Sequence, residues 1–299
     1  MENPVLLNLF KVTAESHFMS LVWIPFITLT IVLFGIGQVF TKMGTTRLGS
    51  PGMLLLLSFN MALIYGGAWL LFHPDTPVGF LPLLYTILAT ILSALGYIFF
   101  YEAVERQKIS IVGVITAAYP FITVVLAVLF LNESLTSTQI SAIALIIISV
   151  SLLSYTPHEY KTQNKTWLVF AVLCFTIWGI WAATAKFAID LVGHITYTGV
   201  YAVTGPSIWV SYWWFRSRKF HFTPKDIHAE LSVAFFCFGG LTFYAALHYG
   251  LASMVAAFSN LYPFVTLLSA RIILSENLEK HHTIAVALAL SGIILLTIY

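Results

Sequence analysis

The chain has 299 residues, of which 59% are apolar and only 9% charged, and its formal net charge is +2. Soluble domains carry about 25% charged residues, so this composition excludes a mostly water-solvated surface. The near-balanced charge gives no electrostatic footprint for nucleic acid, and Cys174 and Cys237 fall inside apolar runs as small core hydrophobes rather than as a disulfide or metal framework.

Residues 1–20 form an N-terminal tail without the basic start, unbroken apolar stretch and cleavage site of a secretory signal. Apolar segments long enough to span a bilayer, about 20 residues each, follow near 21–43, 51–72, 80–104, 110–131 and 138–155. A connector, 156–165, precedes five more near 166–190, 195–215, 229–250, 253–274 and 282–299.

On the first span Phe34, Gln38 and Lys42 share one helix face. A lysine at a span end either holds an anionic group of a substrate or snorkels its ammonium into the headgroups. On the third span Tyr97, Tyr101 and Glu105 share a face, and Glu102 lies one turn inside the span end. A charge within a span costs about 2.5–3.5 kcal/mol on insertion scales, so Glu102 is expected to face a cavity or a partner. Arg106, one turn on, can neutralise it; the other reading is a proton-coupling or amine-binding carboxylate.

Pro120 falls in the middle of the fourth span, beside Tyr119, and is expected to bend the helix around a cavity and to free the Thr116 carbonyl. Glu133 reads as a structural acid after that span, and Thr136-Ser-Thr-Gln139 as a capping box that starts the fifth.

The sixth span carries Trp178, Ala182 and Lys186 on one face, with Trp178 and Trp181 deep enough to stack on a substrate ring or to pack the core. Trp209, Trp213 and Trp214 near the end of the seventh read as an interfacial belt. The eighth presents Gly240, Tyr244 and His248 on one face, and the ninth carries Tyr262-Pro263 with Ser259 four residues before the proline.

These markers occur twice. Phe34-Gly-Ile-Gly-Gln-Val-Phe-Thr-Lys42 is echoed 144 residues later by Trp178-Gly-Ile-Trp-Ala-Ala-Thr-Ala-Lys186. Tyr119-Pro-Phe-Ile-Thr123 is echoed 143 residues later by Tyr262-Pro-Phe-Val-Thr266, and Glu133-Ser-Leu135 by Glu276-Asn-Leu278. Each copy, 21–155 and 166–299, holds five spans. Because five is odd, the second copy enters the membrane from the opposite side. The expected fold is therefore all-α integral membrane, ten transmembrane helices as two inverted five-helix repeats around a central cavity.

Twelve of the 14 Lys and Arg residues lie in, or at span ends facing, the odd-numbered connections; Lys11 and Lys186 do not. The positive-inside rule makes those connections cytoplasmic and puts both termini outside.

The doubled order of Gly35 to Lys42, Tyr101-Glu-Ala-Val104, Tyr119-Pro-Phe121 and Asn132-Glu133, with Gly179 to Lys186, Tyr244-Ala-Ala-Leu247, Tyr262-Pro-Phe264 and Glu276, resembles the EamA family of the drug/metabolite transporter superfamily. The resemblance covers nearly the whole chain. It implies two inverted five-span repeats, a central cavity and transport of small metabolites, often efflux of amino acids or related compounds, across a prokaryotic inner membrane. It also implies cytoplasmic termini, against the charge count.

The function expected is that of a secondary transporter moving a small polar or amphipathic metabolite, amino acids included, outward by alternating access. A flippase for a lipid-linked sugar or phosphate, with Lys42 and Lys186 as headgroup ligands, is the near alternative. A lipid-modifying enzyme is the distant one, because the nine histidines are scattered and form no His-Glu-x-x-His pattern. No Gly-x4-Gly-Lys-Ser/Thr motif is present to use ATP directly, and no cofactor or metal is expected. The expected partners are a small-molecule substrate and the lipid bilayer, with the protein as monomer or homodimer. The expected cavity residues are Gln38, Lys42, Tyr97, Tyr101, Glu102, Tyr119, Pro120, Trp178, Lys186, Tyr244, His248, Tyr262 and Pro263.

Overall fold

A computed structural model describes residues 21–74, 77–107, 112, 115–153, 166–217, 219–274 and 280–297. The tail 1–20, the connector 156–165 and Glu276 lie outside the described residues. Among those described, the regular structure is helical: α1 Trp23–Phe72, α2 Phe80–Arg106, α3 Pro120–Phe130, α4 Ser137–Leu153, α5 Thr166–Val192, α6 His194–Arg216, α7 Ile227–Tyr249, α8 Ala252–Ser259, α9 Tyr262–Leu274 and α10 Lys280–Thr297. A single 3₁₀ turn, Pro224–Asp226, precedes α7.

The helices are apolar on all sides, as a lipid-facing surface requires. Leu63, Leu71, Phe80, Phe130 and Ile272 are exposed on the outside. Four helical stretches (Trp23–Phe72, Phe80–Arg106, Thr166–Val192 and Pro224–Tyr249) are long and apolar enough to cross a membrane. Each contains or matches a segment picked out by hydropathy.

Helix α1 joins two expected spans. Helical geometry runs past the expected boundary at residue 43 and fails only at Gly49, whose φ of +68° lies in the left-handed region. Ser50 begins the second arm, and its backbone N–H donates to Glu105 Oε2 at 2.9 Å. The carboxylate thus satisfies a donor that the break would leave orphaned. Gly193, 144 residues later, also has a positive φ (+77°) and separates α5 from α6. Both turns need a residue without a Cβ.

Packing pairs helices from different halves. The first arm of α1 lies against α7, with Phe26 stacked on Tyr249, Thr30 Oγ1 2.7 Å from Thr242 Oγ1 and Thr41 Oγ1 3.0 Å from Ser232 Oγ. In the equivalent pair α2 lies against α5, with Tyr85 edge-on to Phe187 and Phe99 stacked on Phe170. The second arm of α1 packs on α6, and α4 packs on α10.

The expectation for the two prolines needs correcting. Neither bends a continuous helix. Residues 117–119 form a turn, and Pro120 is the first residue of a new helix, α3. There its missing N–H is one that would have no intrahelical partner anyway. The Thr116 carbonyl is not freed either, since it accepts the Tyr119 N–H at 3.2 Å. In the second half α8 ends at Ser259 and α9 begins at Tyr262, so Pro263 occupies the second helical position. Both spans are broken at the same repeat position.

Trp209 does not belong to an interfacial belt: it is fully buried and its Nε1–H donates to the Ala94 carbonyl at 2.9 Å. Trp214, half exposed, does fit such a position. The capping box at α4 is present reciprocally, with Thr136 N–H donating to Gln139 Oε1 at 2.9 Å and Gln139 N–H to Thr136 Oγ1 at 3.2 Å.

Glu133 is structural in a stronger sense than a loop acid. Its buried carboxylate reaches into the other half and caps α8. Oε1 accepts the Ala252 N–H at 2.6 Å, and Oε2 accepts the Ser253 N–H at 3.2 Å and the Ser253 hydroxyl at 2.5 Å. Hydrogen bonds to a charged group contribute about 1.5–3 kcal/mol. Glu133→Ala is expected to cost about 2 kcal/mol and Glu133→Gln about half that, read as successive drops in the melting temperature of detergent-purified protein.

Candidate functional site

The two helix breaks face each other and close one side of a cavity. Tyr119 hydroxyl lies 2.8 Å from Ser259 Oγ, and Asn260 Nδ2–H donates to the Ala117 carbonyl. The cavity, about 600 Å³ counting its open mouth, is walled by Phe34 and Gln38 of α1, Tyr97 and Phe100 of α2, Trp178 and Trp181 of α5, and Phe236 and Phe243 of α7. Thr116, Ala117 and Tyr119 from one break, with Ser259, Asn260 and Tyr262 from the other, complete the lining.

Most of that lining falls into repeat-equivalent pairs: Phe34 with Trp178, Phe100 with Phe243, Thr116 with Ser259, Ala117 with Asn260 and Tyr119 with Tyr262. The Gly and Tyr-Pro-Phe markers explain how the walls are held. Thr266 Oγ1–H donates to the Gly35 carbonyl at 3.0 Å, and its counterpart Thr123 Oγ1–H to the Gly179 carbonyl at 3.1 Å. A hydroxyl of each broken span thus grips the neighbouring helix where a glycine lets the backbones meet.

The aromatic walls pack edge to face, the arrangement ring quadrupoles favour. Trp178 meets Tyr97 at 5.5 Å and Tyr119 at 6.3 Å between centroids, and Phe34 meets Tyr262 at 6.2 Å. Two polar atoms of the lining residues are shut off from the cavity and without a partner: Trp178 Nε1, whose indole edge lies against Gly96, and Asn260 Oδ1.

Of the residues expected from sequence, Gln38, Tyr97, Tyr119, Trp178 and Tyr262 line this cavity. Pro120 and Pro263 sit beside it at the starts of α3 and α9. Tyr244 and Tyr101 lie behind the wall. Tyr244 belongs to a buried cluster with Tyr65, Tyr197 and Tyr201, at centroid separations of 6.0, 4.8 and 6.3 Å. Trp181 Nε1–H donates to Tyr197 hydroxyl at 3.1 Å, which ties this cluster to the cavity wall. The Tyr101 ring stacks on Tyr97 at 6.4 Å.

The charged candidates gather at the two ends. Lys42 Nζ donates to the carbonyls of Val104 at 2.6 Å and Gln107 at 3.1 Å, so it caps the C-terminus of α2. Glu102, 4% exposed, accepts hydroxyl hydrogens from Ser50 and Tyr212 on Oε1 and pairs with Arg106 Nη1 at 2.6 Å through Oε2. Arg47 pairs with Asp226 at the same end, Nε to Oδ1 2.6 Å. At the other end Lys186 pairs with Asp190 at 2.6 Å, and the His248 ring lies 5.0 Å from that of His194.

Sequence reasoning missed Asn260, Ser50 and Tyr212. A signal for Asn260 was present: it is an amide in an apolar run, three residues before a proline, where the first repeat has Ala117. For Ser50 and Tyr212 no local signal exists, because they meet Glu102 only through the fold.

Helices apolar on every side, built in two matching halves around a solute-sized cavity, define a helical membrane protein. The sequence model of the EamA-like transporter family matches residues 21–155 and 165–298, and the chain belongs to that family. It is 43% identical over 72 residues to an uncharacterized protein of Methanocaldococcus jannaschii, a match covering 24% of this chain and 53% of that one. The chain therefore spans about half the length of the curated relative it matches. A solved crystal structure superposes with a TM-score of 0.71 over 91% of this chain and 96% of the other at 13% identity, a likeness of fold alone.

Proposed function

We propose that this protein is a multi-pass secondary transporter of the inner membrane that moves a small polar or amphipathic solute outward by alternating access through the cavity between its halves. The observation that carries the reading is the pair of helix breaks at equivalent positions, both lining one cavity. Irregular backbone at membrane depth is tolerated where it lines such a space, and transporters built from repeats place their sites there.

The reading has ten spans in two inverted repeats. In support, the first arm of α1 and α5 occupy equivalent places yet point opposite ways: the Lys42 end of that arm lies by Glu102 and Arg106, near the start of α5, whose fifth residue, Phe170, lies under the Arg106 guanidinium. Rocking of one half against the other would open the cavity to each side in turn. Gly49 and Gly193 are the natural pivots, as both join helices at a left-handed turn.

Lys42 and Lys186 are already engaged, which weighs against a flippase that uses them as phosphate ligands. The reading makes the chain a carrier rather than an enzyme, with no cofactor and with a monomer sufficient to form the cavity.

The test uses single cysteines at Gln38, Thr116 and Ser259 in a Cys174→Ala, Cys237→Ala background; both native cysteines are buried and unpaired. Membrane-impermeant thiol reagent is expected to reach each site from one face at a time, at a rate that transported solutes change. Protection from both faces under all conditions would mean that these residues are packed core, and the transport reading would fall.

A further inference from the structure

We propose that His194 and His248 form a proton-binding site that latches one end of the cavity shut near neutral pH and releases it in acid; this rests on the transporter reading of that cavity.

The pair stands beside the Gly193 turn. His194 is the first residue of α6, directly after the left-handed glycine, and its ring lies 5.0 Å from that of His248 near the end of α7. Both side chains are half-buried. Tyr249 joins them to α1, since its ring lies 6.2 Å from that of His194 and stacks on Phe26. From α5, Lys186 and Asp190 are in electrostatic reach of His248, and they pair with each other at 2.6 Å. The contact therefore gathers α1, α5, α6 and α7 at the end opposite Glu102.

The repeat gives this contact a counterpart. His194 matches Ser50 at an offset of 144 residues, and His248 matches Glu105 at 143. In the first half, too, the residue after the left-handed glycine is held by the end of a neighbouring helix. There Ser50 N–H donates to Glu105 Oε2 at 2.9 Å, with the Lys42 ammonium in electrostatic reach of that carboxylate. The two ends of the molecule thus carry the same joint in different chemistry. Exposed carboxylates are ionised throughout the physiological range, whereas an imidazole changes charge near pH about 6.5. The second half holds the titrating version.

Protonation works against the closed geometry. An imidazolium donates from both ring nitrogens. His248 Nδ1 is buried and has no partner among the described residues, so an N–H there would find neither an acceptor nor water. A charged ring would also face the second imidazole at 5.0 Å and the Lys186 ammonium. Asp190 would attract it, but that carboxylate is itself exposed and already holds Lys186 at 2.6 Å. Separating the rings lets water reach both nitrogens, so the open state takes up protons more readily than the closed one. Linkage then fixes the sign: the ratio of open to closed rises as pH falls through about 6.5 and is level above about 7.5.

The test measures distances between paired spin labels in lipid nanodiscs, where both faces meet the same pH, in the background without Cys174 and Cys237. Labels at Leu191 and Leu251, both exposed, report on the ends of α5 and α7 beside the histidines. Labels at Val169 and Ile227, also exposed, report on the same two helices at their other ends. Between pH 7.5 and 5.0 a longer Leu191–Leu251 distance is expected to gain at least about tenfold over the shorter one, while Val169–Ile227 does not lengthen. His194→Asn combined with His248→Gln keeps polarity and removes the charge. It is expected to hold the short distance at every pH with melting unchanged, and either substitution alone to weaken the response.

The proposal is overturned if the parent's distance ignores pH, if the double variant responds like the parent, or if Val169–Ile227 lengthens equally. Thiol labelling of a cysteine at Ser259 separates this from failure of the transport reading. Labelling that solutes change, beside a Leu191–Leu251 distance that ignores pH, sinks the latch alone. A distance that widens in acid while Ser259 stays protected from both faces sinks both.

Discussion

Gly35→Ala and Gly179→Ala are each expected to destabilise the protein by about 3 kcal/mol, the upper end of the usual cost of overpacking. A methyl on Gly35 would collide with Val265 and sit 2.8 Å from the Tyr262 carbonyl oxygen. On Gly179 it would sit 2.5 Å from Ile122 Cβ and 3.0 Å from the Tyr119 carbonyl oxygen. In both cases one obstacle is backbone at a helix break, which cannot rotate away as a side-chain tip could. The helix must move outward, and the Thr266 or Thr123 hydroxyl then loses its hold on the glycine carbonyl. Gly67→Ala is the control, since a methyl there meets nothing within 4 Å and the change favours the helix by up to about 1 kcal/mol. Melting temperatures in one detergent decide the matter. Two large losses of similar size beside a neutral or stabilising control are expected, and parity of all three variants would refute the interlock.

That interlock also marks how far the sequence could be read. The repeat was legible because Gly35, Tyr119 and Thr123 recur as Gly179, Tyr262 and Thr266 in unbroken local strings. The reason for the recurrence was not, because the glycine of one helix meets a tyrosine carbonyl 227 residues away in one half and 60 residues before it in the other. Span positions followed from apolarity, which burial in lipid demands of every helix face. For the same reason helix phase carried little information: with no polar side, nothing in α2 distinguishes Tyr97, which lines the cavity, from Tyr101, which stacks behind it. The prolines located the breaks correctly and were assigned the wrong geometry, since a proline starts a helix as readily as it bends one. Lys42 looked like a ligand because charge within an apolar run suggests function; its actual partners are the carbonyls that end α2, which no side-chain pattern announces.

Glu102 is where the two readings diverge most, and its variants separate them. The geometry makes it a lock among three elements: Ser50 just after the Gly49 break, Tyr212 of α6 and Arg106 of its own helix. Glu102→Ala would take the acceptor from both hydroxyls and leave Arg106, among the described residues, only the residue-102 carbonyl, at 2.7 Å, and the Phe170 ring. Removing one partner of a buried ion pair costs about 3–5 kcal/mol, and the lower end applies because Arg106 is 29% exposed. Glu102→Gln keeps an oxygen for the two hydroxyls but turns an amide N–H toward the guanidinium or gives it a neutral acceptor, so about 1–2 kcal/mol is expected. Tyr212→Phe and Ser50→Ala should each lose about 1 kcal/mol. As a lock, Glu102 acts on stability and transport together: uptake in proteoliposomes, normalised to folded protein, falls in the order parent, Gln, Ala, alongside the melting temperature. A proton-carrying carboxylate behaves differently, because an amide of the same shape holds the fold but cannot release a proton. Glu102→Gln protein that melts like the parent and has lost proton-driven uptake would assign Glu102 to coupling, and would make the Ser50 and Tyr212 hydroxyls its proton-relay partners rather than parts of a latch.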